Sequence, residues 1–254
     1  MVFLAIVFLL SALSLGVKLF RLIQASSYDG SHRFIVSVVD AKKHIWIASL
    51  APSEKALLLS LKQADSKQDI ASRLLIPING TILLQQEADT SSLSTLFATA
   101  LFDPQTRYEN MTVYDMFRLY LDALRIASKD TTVASYTFSE DVNTISDALR
   151  RLFVDSKLVA NDQTIAIENG SGTSGIGQRL ERIVTLLGGN VVSVTTARAT
   201  QQPTYIYYSG EKTYTTKRLE RLLKQQAEVG DTKIADILVV VGVRSLQLDI
   251  FATI

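Results

Sequence analysis

Between residues 163 and 190 the sequence changes period within a few positions, and that change restricts what the chain can fold into. Residues 163–168 (QTIAIE) follow the two-residue alternation of a strand. Residues 176–187 carry apolar side chains at helical spacing, and Gly188-Gly189-Asn190 ends them. The connection is NGSGTSG, Asn169 to Gly175. A strand that turns at once into a helix needs backbone freedom and close approach, and glycine supplies both. Glycines 170, 172 and 175 also fit G-x-G-x-x-G, the spacing with which a strand–turn–helix cradles phosphate on free N–H groups. Asn169, Gly170, Gly172, Thr173, Ser174 and Gly175 are therefore the candidate anion- or ligand-binding residues. Thr173 or Ser174 is expected to cap the helix.

Two observations weigh against a dinucleotide. The acidic residue expected about 20 positions on is missing, since residues 193–198 read SVTTAR, although Arg198 could face a 2′-phosphate. After Arg198 the chain offers only a strand (204–208), a helix (213–227) and a buried strand (234–241). The order is β-α-β-β-α-β, expected to form a split-βαβ domain of ferredoxin-like type, without a second mononucleotide-binding half. No cofactor is expected.

The N-terminus is a different material. Residues 2–17 (VFLAIVFLLSALSLGV) are uncharged and almost wholly apolar, and residues 2–23 reach the length of a membrane span if Lys18 and Arg21 extend to the interface. The segment lacks a clear small-x-small cleavage site, so residues 1–24 are read as an uncleaved transmembrane anchor. Lys18 and Arg21 follow the span, which by the positive-inside rule alone would leave the body in the cytoplasm. A basic segment upstream of Met1 is the expectation that would place the body outside. Residues 25–31 (ASSYDGS) are small and polar and read as a linker.

The body has enough apolar side chains to build cores, with 47% hydrophobic and 20% charged residues in the whole chain. A net charge of +1 argues against a nucleic-acid partner. There is no cysteine, and His32 and His44 are the only histidines, so a metal cage or a histidine-based triad is poorly supplied and no metal is expected.

Residues 32–158 are read as a mixed α/β domain. Strand-like runs at 33–39, 44–49 and 55–61, separated by turns at 40–43 and 51–54, form an antiparallel meander. Residues 69–78 and 81–84 flank a turn at Pro77-Ile78-Asn79-Gly80, and 91–101 is a short helix. The pattern predicts a helix over 112–128, capped by Thr112 with Asp115, with Val113, Met116, Phe117, Tyr120, Leu121 and Leu124 as its apolar stripe. Asp115, Arg118, Asp122 and Arg125 would lie on the other side, as a solvated face or a partner surface. Residues 132–138 read as a strand, and Ser139 caps a helix running to Phe153. Residues 155–162 read as a polar junction before the last domain, 163–246.

That last domain resembles the C-terminal domain of the LytR–CpsA–Psr (LCP) family of bacterial envelope proteins. The stretches that carry the likeness are IAIENGSGTSGIGQRLERIVTLLGGNVVSV, PTYIYYSGEKTYTTKRLERLL and ADILVVVGVRSL, within residues 165–246. Family members often carry an acidic residue shortly after the last glycine, whereas Gly242 here precedes Val243-Arg244. The middle region resembles the family's catalytic domain faintly, through the meander of residues 34–60. The family's enzymes place a Pro-Arg-Asp motif after the next strand, part of an Arg and Asp set that binds polyprenyl pyrophosphate and magnesium. Here Lys62-Gln63-Ala64-Asp65 stand instead, and no residue matches the motif, so no catalytic residue is assigned.

Three functions follow as alternatives. The first is a single-pass protein of the cytoplasmic membrane with its body outside, reached by the resemblance, that binds or scaffolds a cell-wall glycopolymer or an envelope protein without chemistry of its own. The second is a divergent glycopolymer phosphotransferase, using charges such as Arg73, Arg107, Asp115, Arg118 and Arg125. The third is a nucleotide-binding regulator that uses the glycine loop.

Overall fold

The computed structural model describes residues 2–51, 55–62, 75–137, 153–201, 203–232 and 234–251. The turn expected at 51–54 beyond Ala51, Gln63-Ala64-Asp65, Arg73 and the helix expected from Ser139 up to residue 152 lie outside the described residues. The molecule is mixed α/β, and it divides into Met1–Ser60 with Asn79–Ala134, and Leu61–Ile78 with Ser135–Ile254.

In the first unit, α1 (Val2–Gln24) is a 23-residue helix. At 1.5 Å per residue it is about 34 Å long, enough for a hydrocarbon core of about 30 Å. Its candidate span, Ile6–Gln24, has none of its apolar window buried. Length and composition suit a membrane span or a signal sequence.

The expected strands form as β1 (Phe34–Val39), β2 (Ile45–Leu50) and β3 (Ala56–Lys62). They join β4 (Gly80–Leu83), β5 (Arg107–Glu109) and β6 (Thr131–Thr137) in a six-stranded sheet ordered β5-β4-β1-β2-β3-β6. β1 lies inside this sheet, which is why FIVSVV is nearly continuously apolar. It pairs antiparallel with β2, from Phe34 opposite Leu50 to Val39 opposite Ile45, and parallel with β4. Of the run expected at 69–78, residues 69–74 lie outside the described residues. Asn79 ties β4 to β1, its side chain accepting the Ile35 N–H at 2.8 Å and its own N–H reaching the Ile35 carbonyl at 2.8 Å.

Two helices complete the first core. α2 (Leu93–Phe102) is capped by Ser92, and α3 (Val113–Arg125) carries the expected Thr112–Asp115 capping box. The buried face of α3 differs from the expected stripe: it is Asp115, Met116, Leu119 and Ala123. Val113, Phe117 and Leu124 are exposed. The apolar arc of this helix is wide enough to permit either rotation, and a buried carboxylate decides it.

Asp115 is that carboxylate. It accepts the Tyr28 N–H at 2.8 Å, the Ser26 hydroxyl at 2.5 Å and the Thr112 N–H at 2.6 Å. The Tyr28 hydroxyl donates to Asp122 at 2.7 Å, and Arg118 donates to the carbonyls of Tyr28 at 2.9 Å and Asp29 at 3.1 Å. Tyr28 itself is buried against Phe34 and His32. The stretch expected as a linker is thus clasped to α3 by the very charges expected to face solvent. Composition misled here because small polar residues suit a loop and a buried clasp equally.

In the second unit, residues 155–162 are not a loose junction. They form α4 (Ser156–Asn161), capped by Asp155. β7 (Thr164–Asn169), α5 (Ile176–Leu186), β8 (Asn190–Thr196), β9 (Tyr205–Tyr208), α6 (Tyr214–Leu223) and β11 (Ile237–Val241) follow the expected order. A short β10 (Ala227–Val229) was not foreseen. The sheet runs β10-β9-β11-β7-β8. β7 and β8 are direct parallel neighbours, so this βαβ unit is not split as a ferredoxin-like order would have it. β10 pairs parallel with β9 through the α6 crossover, and β11 returns between β9 and β7.

Arg218 of α6 is buried, with its Nε 3.6 Å from Asp155. The unforeseen α4 lies against α6 and covers that side, where Thr215 also donates to Asn161 at 2.7 Å.

Candidate functional site at the carboxyl edge of the second sheet

Since β7, β8 and β11 are mutually parallel along the sheet, the segments that follow them gather at one edge. The α5 crossover runs from β7 to β8 on one side, while β11 flanks β7 on the other. Open α/β sheets bind ligands in the crevice where strand order reverses in this way. Here that crevice is stitched by the chain's own backbone. The Gly170 N–H donates to the Val241 carbonyl at 2.9 Å, the Gln201 N–H to the Gly170 carbonyl at 2.7 Å, and the Val243 N–H to the Gln201 carbonyl at 2.9 Å. A Cβ on Gly170 would stand 2.9 Å from Gln201 Cγ and 3.2 Å from the Val241 oxygen. The first glycine therefore admits Gln201.

The loop beyond it is internally bonded. Asn169, mostly buried, accepts the Ser171 N–H at 3.1 Å and hydroxyl at 2.7 Å, and its amide donates to the Thr173 carbonyl at 2.8 Å. Ser171 Oγ in turn accepts the Thr173 N–H at 3.1 Å. With Thr173 held this way, neither it nor Ser174 caps α5. The cap is Gly175, left-handed at φ 83°, which has no side chain to bond the helix start. The expected capping role is thus corrected, and the reason is that the turn closes on Asn169 and Ser171 rather than on the helix. Close packing of helix on strand falls to Gly177, whose Cβ would lie 3.0 Å from Val194 Cγ1 and 3.4 Å from Asn169 Cβ.

What faces out is an uncapped helix start beside a braced loop, with Ser174, Arg198 and Thr200 exposed. The N–H groups of such a start attract negative charge. Thr204 and Ser245 form a buried hydroxyl pair next to the loop, and Thr204 accepts the Gly242 N–H at 3.0 Å. Sequence reasoning missed Gln201, Thr204 and Ser245, because only the tertiary crossing of three distant turns gives them a role. Among the described residues no group of three His, Asp or Glu could hold a metal ion.

The charges considered for a transferase go elsewhere. Asp115 and Arg118 grip residues 26–29, and Arg125 pairs with Asp122 at 3.2 Å on the same helix, while Arg107 is exposed on β5. Trp46 packs against the first core. Tyr205 and Tyr207 stack on each other, ring centroids 5.7 Å apart and 8° from parallel, against Ala166, Leu238 and Val240.

The class defined so far is an α/β domain with a braced strand–turn–helix at its carboxyl edge, in a chain that begins with an apolar helix. Residues 162–243, about a third of the chain, match the family model described as LytR cell envelope-related transcriptional attenuator. The second unit therefore carries a LytR C-terminal domain, and its matched bounds lie close to the 163–246 expected from sequence. No curated protein and no solved structure matches the chain.

Proposed function

We propose that this is a single-pass protein of the bacterial cell envelope whose body lies outside the cytoplasmic membrane and whose second unit holds an anionic cell-wall glycopolymer without acting on it chemically. The observation that carries the binding role is the start of α5: Gly175 leaves its N–H groups without a side-chain cap, beside a loop braced by Asn169 and Ser171. Phosphate or carboxylate groups along a polymer suit such a seat. The domain match ties the second unit to the envelope, and the length and hydropathy of α1 support the anchor. The first unit is read as a reduced relative of the family's catalytic domain. In support, no residue matches the family's Arg–Asp motif, and Asp115 and Arg118 are engaged with the chain's own backbone.

Ser174→Asp separates binding from folding. A carboxylate at the helix start favours the helix by about 0.3–1 kcal/mol, yet it repels an anionic ligand. The full chain in nanodiscs is expected to co-sediment with cell-wall sacculi that carry anionic glycopolymer and not with stripped sacculi. The variant should be as stable as the parent and bind less. Equal binding of variant and parent would reject the loop, and failure of the parent to co-sediment would reject the function.

A further inference from the structure

The outer face of α3 carries apolar side chains left exposed among the described residues. Val113, Phe117 and Leu124 are 50%, 45% and 55% exposed, and Phe102 at the end of α2 is 73% exposed. Positions 113, 117, 120 and 124 follow i, i+4, i+7, i+11, one stripe of a helix. Phe102 joins that stripe edge-on through the Tyr120 ring, with centroids 6.1 Å apart. A clustered apolar patch of this kind marks a docking surface, whereas single exposed side chains do not.

The clasp indicates what covers it. α1 ends at Gln24, and residues 26–29 are already bound to Asp115, Arg118 and Asp122 on the other side of α3. α3 is therefore the element of the body to which the anchor is pinned most directly. If Lys18 lies at the headgroup level, α1 rises about 9 Å above it by Gln24, at 1.5 Å per residue. That height is close to the width of a helix with its side chains, about 10–12 Å. The chain thus clears the far side of α3 as the opposite side comes down on the bilayer.

We propose that Phe102, Val113, Phe117 and Leu124 form a lipid-facing surface that seats the first unit on the bilayer beside its own anchor. The inference rests on the reading of α1 as a membrane span. The absence of cysteine allows a direct test. Single variants Leu13→Cys, Phe102→Cys, Phe117→Cys and Lys42→Cys of the full chain are labelled with an environment-sensitive fluorophore in liposomes containing anionic lipid. Lipids carrying a nitroxide near the headgroup or deep in the acyl chain are then added. The shallow nitroxide should quench the labels at 102 and 117, the deep one the label at 13, and neither the label at 42.

Quenching at 13 with 102 and 117 behaving like 42 would overturn the docking and leave the span standing. Labels at 102 and 117 shielded from aqueous iodide but untouched by lipid nitroxide would show a protein on this face and overturn it equally. No quenching at 13 would remove the span, and the docking with it.

Discussion

At the scale of residues, a few polar groups lie buried where the sequence pattern would put them in solvent. Asp115 is fully buried and satisfies donors from Ser26, Tyr28 and Thr112, so Asp115→Ala strands at least two backbone N–H groups. A loss of about 3 kcal/mol is expected from the urea midpoint of the first unit. Tyr28→Phe removes only the bond to Asp122 and should cost about 1–2 kcal/mol. Asp236, in the ADILVVVG stretch, explains one residue of the family pattern. It accepts the Thr164 hydroxyl at 2.7 Å and N–H at 2.8 Å, joining the starts of β11 and β7, and those bonds hold its carboxyl below the usual 3.8. A depressed native pKa contributes stability that is present above the unfolded value and lost as pH falls through the native one. Asp236→Asn should therefore destabilise at neutral pH, and the difference from the parent should shrink as pH falls below the unfolded value near 3.8. Urea midpoints measured down the acid limb check this.

At the scale of elements, periodicity reads well where one side chain type dominates a face and poorly where a polar group is buried. The strands at 34–39, 164–169 and 237–241 and the helix over 176–186 lie close to their expected bounds because an alternating or continuously apolar run, or helical spacing, is unbroken there. α4 escaped because SKLVAN has a single buried apolar residue, Leu158, and its capping Asp155 looks like a loop residue in sequence. That omission also hid Arg218. Removing the carboxylate with Asp155→Ala would leave the Arg218 guanidinium buried without its nearby charge and free the Tyr214 hydroxyl, a 2.6 Å donor to Asp155. The expected cost is about 3–5 kcal/mol, and the paired change Asp155→Leu with Arg218→Met should cost less by the charge part alone, since the α4 cap and the acceptor of the Tyr214 hydroxyl are lost in both. Thermal unfolding of the three proteins measures this. The glycine loop was legible as a strand-to-helix turn but not as a filled one, because Gln201 reaches Gly170 from 31 positions away in the chain.

At the scale of the whole molecule, an apolar N-terminal helix and a LytR C-terminal domain frame the functional reading. What the sequence could not convey is how tightly the chain after α1 is held: Ser26, Tyr28 and Asp29 are hydrogen-bonded to α3, and Tyr28 belongs to the first core. The central claim is that the second unit works outside the cytoplasmic membrane. Ile234, 77% exposed, offers a site to test this in a chain without cysteine. Ile234→Cys in intact cells is predicted to react with a membrane-impermeant maleimide as fully as it does after lysis. Labelling that appears only after lysis would place the domain in the cytoplasm and contradict the account.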